Sequence, residues 1–159
     1  MDTMVDILLK RAENELMTAE KLKILSEEKE SKEFMRIPED ATFYSSVISH
    51  SYYAIFYAAK AILLTKGIKT SSPEIHKKTY GEFERRFVST GILDVKLLEI
   101  YKKMVVKADE LLEIFKDEKW KRGNFTYKTI PQANKEPAEE SIKNAKTFVA
   151  NIASVIRRL

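Results

Sequence analysis

Apolar residues recur every three or four positions along most of this chain, the period of an amphipathic helix. From about Thr3 to Glu30 the stripe is Val5, Leu8, Leu9, Ala12, Leu16 and Ala19, continued by Leu22 and Leu25. Lys10, Arg11, Glu13, Lys21 and Glu28 occupy the opposite face. A polar stretch, Lys29 to Pro38, leads to a second helix. Pro38-Glu39-Asp40 suits its first turn, and Gly67 suits its end. This helix has two stripes: Tyr44, Ile48, Tyr52, Ile55, Ala59, Ile62, and Phe43, Val47, Ala54, Ala58, Ala61. Such a segment is buried on more than one side, so it is either the central helix or a helix shared with a second subunit.

Ser71-Ser72-Pro73-Glu74 predicts a third helix start, with Ser71 or Ser72 as the cap and Glu74 completing a capping box. That helix buries Ile75, Tyr80, Phe83 and Phe87 and stops at Gly91. Asp94 caps a fourth helix reaching about Lys121, with the stripe Leu97, Leu98, Tyr101, Met104, Val105, Ala108, Leu111, Leu112, Phe115. Gly123, Pro131 and Pro137 then mark a long loop, a feature that is uncommon and often functional. The last helix starts near Glu136-Pro137 and repeats Ala138, Ile142, Ala145, Val149, Ile152, Ile156 in steps of four and three. No strand-like run and no internal repeat stands out. The expected fold is all-α: a single domain over 1–159, an up-and-down helical bundle of about five helices.

Composition narrows the chemistry. At 159 residues, one domain is the default, and 44% hydrophobic with 33% charged residues describes a globular chain. The longest unbroken apolar run is Tyr52 to Ala59, far short of the roughly 20 residues a membrane span needs. The opening Met1–Asp6 has no basic region followed by an apolar core, so no signal peptide is expected. Cysteine is absent, which excludes disulfides, cysteine-held metals and thiol catalysis and fits a cytoplasmic setting. The two histidines, His50 and His76, are too far apart in sequence for a paired metal motif, and no metal or cofactor is expected. The four glycines make no phosphate-binding loop. A net charge of +4 permits a nucleic-acid partner without arguing for one. Lysine and glutamate dominate the charged set, a bias found in thermophile proteins.

Several motifs then fall in a familiar order. The string Ser49-His50-Ser51-Tyr52-Tyr53-Ala54-Ile55-Phe56-Tyr57-Ala58-Ala59-Lys60 is followed by Ser72-Pro73-Glu74-Ile75-His76-Lys77 and by Phe87-Val88-Ser89-Thr90-Gly91. Ala138-Glu139-Glu140-Ser141-Ile142 with Ala145, Phe148 and Val149 closes the series. Together these resemble HEPN-domain proteins over roughly residues 4 to 156. The resemblance implies a helical bundle that forms homodimers, and small stand-alone members paired with a separately encoded minimal nucleotidyltransferase in toxin–antitoxin-like systems. Active members of that family are metal-independent ribonucleases with an Arg followed four to six residues later by His.

In this chain the matching stretch is Arg122-Gly123-Asn124-Phe125-Thr126-Tyr127. Arg122 takes the Arg position; Tyr127, Lys128 and Thr129 stand where the His is expected. Arg supplies a planar donor fork for a phosphodiester. The Tyr127 phenol is a poor base at neutral pH and can instead hydrogen-bond a phosphate or stack on a base. Arg122 and Tyr127 are therefore the candidate catalytic pair of a degenerate site, with His50, Tyr53, Lys121, Asn124 and Lys128 as candidate ligand contacts. Between Lys116 and Lys128, five basic residues face two acids, with Trp120, Phe125 and Tyr127 interleaved, which suits RNA or a nucleotide. The competing reading is an ordinary helix end, with Trp120 packed on the bundle and Arg122 complementing the helix dipole. His50 with Tyr53 can line a polar cleft, or His50 is a half-buried side chain bonded to a tyrosine or carbonyl. His76 reads as a surface or intersubunit contact, and Tyr52, Tyr53 and Tyr57 as core or interface packing.

Three functional expectations follow: an RNA- or nucleotide-binding protein with a degenerate ribonuclease site, an active ribonuclease toxin, or a catalytically silent accessory subunit.

Overall fold

The computed structural model describes residues 2–106 and 135–159. Helix α1 is Thr3–Glu27, α2 Lys29–Phe34, α3 Tyr44–Leu64 and α4 Ile75–Phe83. Helical residues 95–106 form α5, and α6 is Lys135–Arg158. Among the described residues there is no strand, and the fold is the all-α bundle that the periodicity predicts.

Helix α3 is the centre. Thirteen of its 21 residues are buried, including every member of the stripe from Tyr44 to Ile62. Alanines 54, 58, 59 and 61 are fully covered, so neighbouring backbones approach closely. By length and composition α3 could cross a membrane, but its apolar faces are covered by α1, α4 and α6. One chain therefore buries α3 by itself, and a second subunit is not needed for that purpose. What α3 leaves outside is a narrow strip carrying His50, Tyr53, Tyr57 and Lys60.

Helices α1 and α3 run antiparallel. Glu15 meets His50, Arg11 meets Tyr57, and the Ser26 hydroxyl meets the Phe43 amide. Helix α6 also opposes α1, through Lys23–Glu139, Lys146–Glu20 and Arg157–Glu13 pairs at 3.7, 3.0 and 3.7 Å. Exposed pairs of this kind add at most about 1 kcal/mol each. Most of the stabilisation comes from apolar burial, about 1.5–3 kcal/mol for each fully covered large side chain. On α6 those side chains are Ile142, Phe148, Val149, Ile152 and Ile156. A second aromatic group, Tyr80, Phe83, Phe87, Tyr101 and Phe148, fastens α4, α5 and α6 together, with ring centroids 5.1–6.3 Å apart.

Several boundaries differ from the periodicity. The first helix breaks at Glu28, which is extended (φ −94°, ψ 115°), and a short α2 follows. The side chain of Ser26 competes with the helix there: its hydroxyl donates to the Leu22 carbonyl and accepts from the Phe43 N–H, both at 2.7 Å. The second helix begins at Tyr44 because Pro38 opens a turn, with the Ala41 N–H donating to the Pro38 carbonyl. The predicted capping box does not form. The Ser72–Pro73 peptide is cis, and Glu74 is left-handed (φ 56°) with no side-chain cap. The right-handed turns therefore start only at Ile75. Helix α4 continues into a wider turn over Glu84–Val88, closed by Ser89 N–H donating to the Glu84 carbonyl. Gly67 (φ 72°) and Gly91 (φ 78°) take the left-handed conformation where the sequence places the stops. Asp94 caps α5, its carboxylate accepting the Lys96 N–H at 2.9 Å.

Candidate functional site

Arg122, Tyr127, Lys121, Asn124 and Lys128 all lie outside the described residues, as do Trp120 and Phe125. The candidates that can be placed are His50 and Tyr53, both on the outer strip of α3. They take different partners. His50 is half-buried, and its Nδ1 is 2.5 Å from Glu15 Oε2 on α1. Its partner is a carboxylate, where the sequence suggested a tyrosine or a carbonyl. Tyr53 is 39% exposed. One turn on, its ring stacks at 29° and 6.3 Å with that of Tyr57, and it meets Tyr52 and Phe56 edge-on at 5.6 and 6.4 Å.

The spacing of α3 explains this arrangement. Residues 50, 53, 57 and 60 fall on one side of a helix of 3.6 residues per turn. Tyr52 and Phe56 lie deeper, against the bundle, and are buried. The row is thus two-tiered, with buried rings supporting the exposed Tyr53 and the half-buried Tyr57. Cations flank it. The Arg11 guanidinium sits 4.5 Å over the Tyr57 ring, and Lys60 Nζ lies 5.6 Å from the Phe56 centroid.

His76, at the start of α4, completes the group. Its ring is 4.4 Å from Phe56 and 6.0 Å from Tyr53, and its Nδ1 is 2.7 Å from the Tyr52 hydroxyl. The ring is exposed at the surface, yet it is held by α3 rather than standing out as a loose surface contact. Partial burial, and next the Lys60 charge, lower its pKa below the ordinary 6.5. The imidazole therefore stays neutral through more of the pH range. Sequence reading did not connect His76, Arg11 or Lys60 to Tyr53. The contacts join residues 24 and 46 positions apart, and only the antiparallel α1–α3 pair and the placement of α4 create them.

Chemically, the row offers one exposed aromatic ring, Tyr53, beside the half-buried Tyr57, with two cations and an imidazole whose pKa is lowered. Aromatic faces accept an unpaired base and cations accept its phosphates. Among the described residues, no three His, Asp or Glu side chains converge to hold a metal ion. Tyr101 is fully buried beneath this region, and its hydroxyl has no hydrogen-bond partner. Burial first, and then Tyr52 and Tyr80, push that phenol well above its usual pKa.

Known proteins resemble the chain over most of its length. "Putative toxin MJ0605" of Methanocaldococcus jannaschii is 31% identical over 116 residues, 73% of each chain. "Putative toxin MJ0142" of the same organism is 34% identical over 84 residues, 50% of this chain and 55% of the relative. A UPF0332 protein of Thermotoga maritima is 29% identical over 114 residues, 72% of this chain and 74% of the relative. No solved structure gives a significant match. The HEPN domain model matches residues 5–155, which covers α1 through α6 and the outer row of α3, and the chain belongs to the HEPN-domain family.

Proposed function

We propose that this is a toxin-like HEPN protein whose α3 row binds single-stranded RNA or a nucleotide. The observation that supports the reading best is the exposed Tyr53 ring stacked on the half-buried Tyr57, with Arg11 and Lys60 beside them. Stacked faces with flanking cations match an unpaired base and its phosphates. The sequence similarity to two relatives named as toxins agrees with the toxin-like part. The basic stretch with Arg122 and Tyr127, and with Lys121, Asn124 and Lys128, belongs to the proposal as a further candidate ligand-contacting segment. Its lack of a histidine makes it a degenerate ribonuclease site. A separately encoded nucleotidyltransferase is the proposed protein partner, and the cytoplasm the proposed compartment.

A homodimer belongs to the proposal, and α5 gives it a surface. Val95 and Val106 are 55% and 48% exposed, and Glu99 and Lys102 lie between them on the same side of the helix. An antiparallel twofold contact sets Val95 against Val106 and Glu99 against Lys102 of a second copy, so the patch is self-complementary. This leaves the α3 row open.

The test is fluorescence anisotropy with a short labelled single-stranded RNA. Tyr53→Ala and Tyr57→Ala should each weaken binding by about 1–3 kcal/mol, and Arg11→Ala should flatten the salt dependence. Binding that is indifferent to all three removes the row from the function. Sedimentation tests the dimer: Glu99→Lys should dissociate it, and adding Lys102→Glu should restore it.

A further inference from the structure

Among the described residues the most exposed large apolar side chain is Phe34, at 86%, and Met35 beside it is 56% exposed. The turn that carries them, at the end of α2, is tied down. The Arg36 N–H donates to the Glu33 carbonyl at 3.1 Å, and the Ile37 N–H donates to the Lys32 carbonyl at 2.8 Å. These are the two bonds of a Schellman helix end. Arg36 takes the left-handed conformation (φ 57°) that glycine ordinarily supplies there. Lys32 is 5% exposed, and its Nζ crosses the turn to the Glu39 carbonyl at 2.6 Å. The backbone under Phe34 is thus ordered before anything covers the ring, so little freedom is lost on binding.

Charge then selects the partner. Between Glu27 and Asp40 there are six acids and three bases, in a chain whose net charge is +4. Lys32, one of those bases, is turned inward. Glu28, Glu30, Glu33, Glu39 and Asp40 are exposed, and none of the five is in an ion pair among the described residues. Glu139 of α6 stands at the same end of the bundle: it shares Lys23 with Glu27. Burial first, and then Glu27 and Glu139, raise the pKa of Tyr44 at the start of α3. Such a surface repels phosphates, so neither a nucleic acid nor an anionic membrane fits it. A second copy placed by a twofold axis through Phe34 sets acid against acid and fits no better.

We infer that the α2 turn is a docking surface for a different protein, which presents a basic amphipathic segment. Apolar side chains of that segment cover Phe34 and Met35, and its lysines or arginines meet the acids around them. Glu30 lies one turn before Phe34 on α2, so one cation reaches it while the neighbouring apolar side chain covers the ring. The Ser26–Phe43 bond puts this turn beside the start of α3, whereas the aromatic row runs from His50 to Lys60. The surface is therefore separate from the row, and the inference does not rest on the RNA-binding reading.

The probe is a short synthetic helical peptide with leucines on one face and lysines on the other. One control peptide carries serine at each leucine, and a second carries glutamate at each lysine. An amide NMR titration of the isotope-labelled full chain at low salt should show shifts concentrated at residues 28–40. In calorimetry, Phe34→Ser combined with Met35→Ser should weaken binding about 10-fold or more. Glu30→Lys combined with Glu33→Lys should weaken it by a similar factor and flatten its salt dependence. These positions are exposed, so circular dichroism should show the helix content of both variants unchanged. The serine peptide should bind about 10-fold more weakly than the leucine peptide, and the glutamate peptide should not bind. A leucine–lysine peptide that does not bind, or that shifts amides only outside this turn, overturns the inference. Equal binding of the serine peptide, or affinity indifferent to Phe34 and Met35, reduces the effect to charge alone and also overturns it. Sedimentation of the wild-type chain completes the test: self-association that disappears in Phe34→Ser makes a second copy the occupant and overturns the inference.

Discussion

Replacing Ser26 with alanine tests how the bundle is tied at one end. Ser26 is 5% exposed, and its hydroxyl holds two backbone groups: it donates to the Leu22 carbonyl and accepts the Phe43 N–H, both at 2.7 Å. The alanine leaves the Phe43 amide without its acceptor, which costs about 1–3 kcal/mol for a half-buried donor. Better helix propensity returns up to about 0.5 kcal/mol. The net loss should be about 1–2 kcal/mol, equivalent to a Tm lower by about 2–8 °C at this chain length. Ser141 is the control. It is fully buried too, but its hydroxyl only donates to the Pro137 carbonyl, at 2.7 Å, so removing it deprives no donor of its partner. Ser141→Ala should therefore change stability by less than about 1 kcal/mol. Urea unfolding followed by circular dichroism at the helix band measures both. Equal effects, or a neutral Ser26→Ala, would refute the claim that the hydroxyl of Ser26 joins the end of α1 to the start of α3.

Three more outcomes follow from the same contacts. Tyr101→Phe removes a buried hydroxyl without a partner while keeping the ring against Tyr80, Phe83 and Phe148, so the variant should be more stable by about 1 kcal/mol in urea unfolding. Phe148→Ala empties the junction of α4, α5 and α6 and should cost about 3–5 kcal/mol in the same assay, enough to unfold a marginal domain. His76 has a lowered pKa in the folded chain, so the unfolded chain binds its proton more readily; stability contributed by this site should be lost as pH falls through 6.5 toward the folded value. Comparing wild type with His76→Gln by thermal unfolding across that window should show the slope only in wild type, and an NMR titration should place the His76 midpoint below 6.5.

The parts of the fold that were legible in the sequence are those set by local repetition. The α6 positions from Ala138 to Ile156 are buried as their spacing predicts, and both stripes of α3 point inward apart from Phe43 at its edge. The cap at Asp94 and the stops at Gly67 and Gly91 were legible because each acts through its own backbone. The break after Ser26 was not, because its cause is a bond to Phe43 seventeen residues later. Glu74 misled for a similar reason: the residues suit a capping box, but the left-handed backbone there prevents one. At the site, the sequence singled out Tyr53 and His50 but grouped the tyrosines of α3 together as packing. The structure divides them, with Tyr52 buried and Tyr53 exposed. Periodicity contains that division only once the faces covered by α1 and α4 are known. His76 joins the row solely through the folded position of α4 against α3.

The central claim is that the outer row of α3 receives single-stranded RNA. Photocrosslinking a 4-thiouridine-containing RNA to the wild-type chain, followed by mass-spectrometric mapping of the adducts, tests it most directly. Adducts on the α3 row at Tyr53 and Tyr57 are the predicted result. Adducts confined to other surfaces, with α3 unmarked, would contradict it.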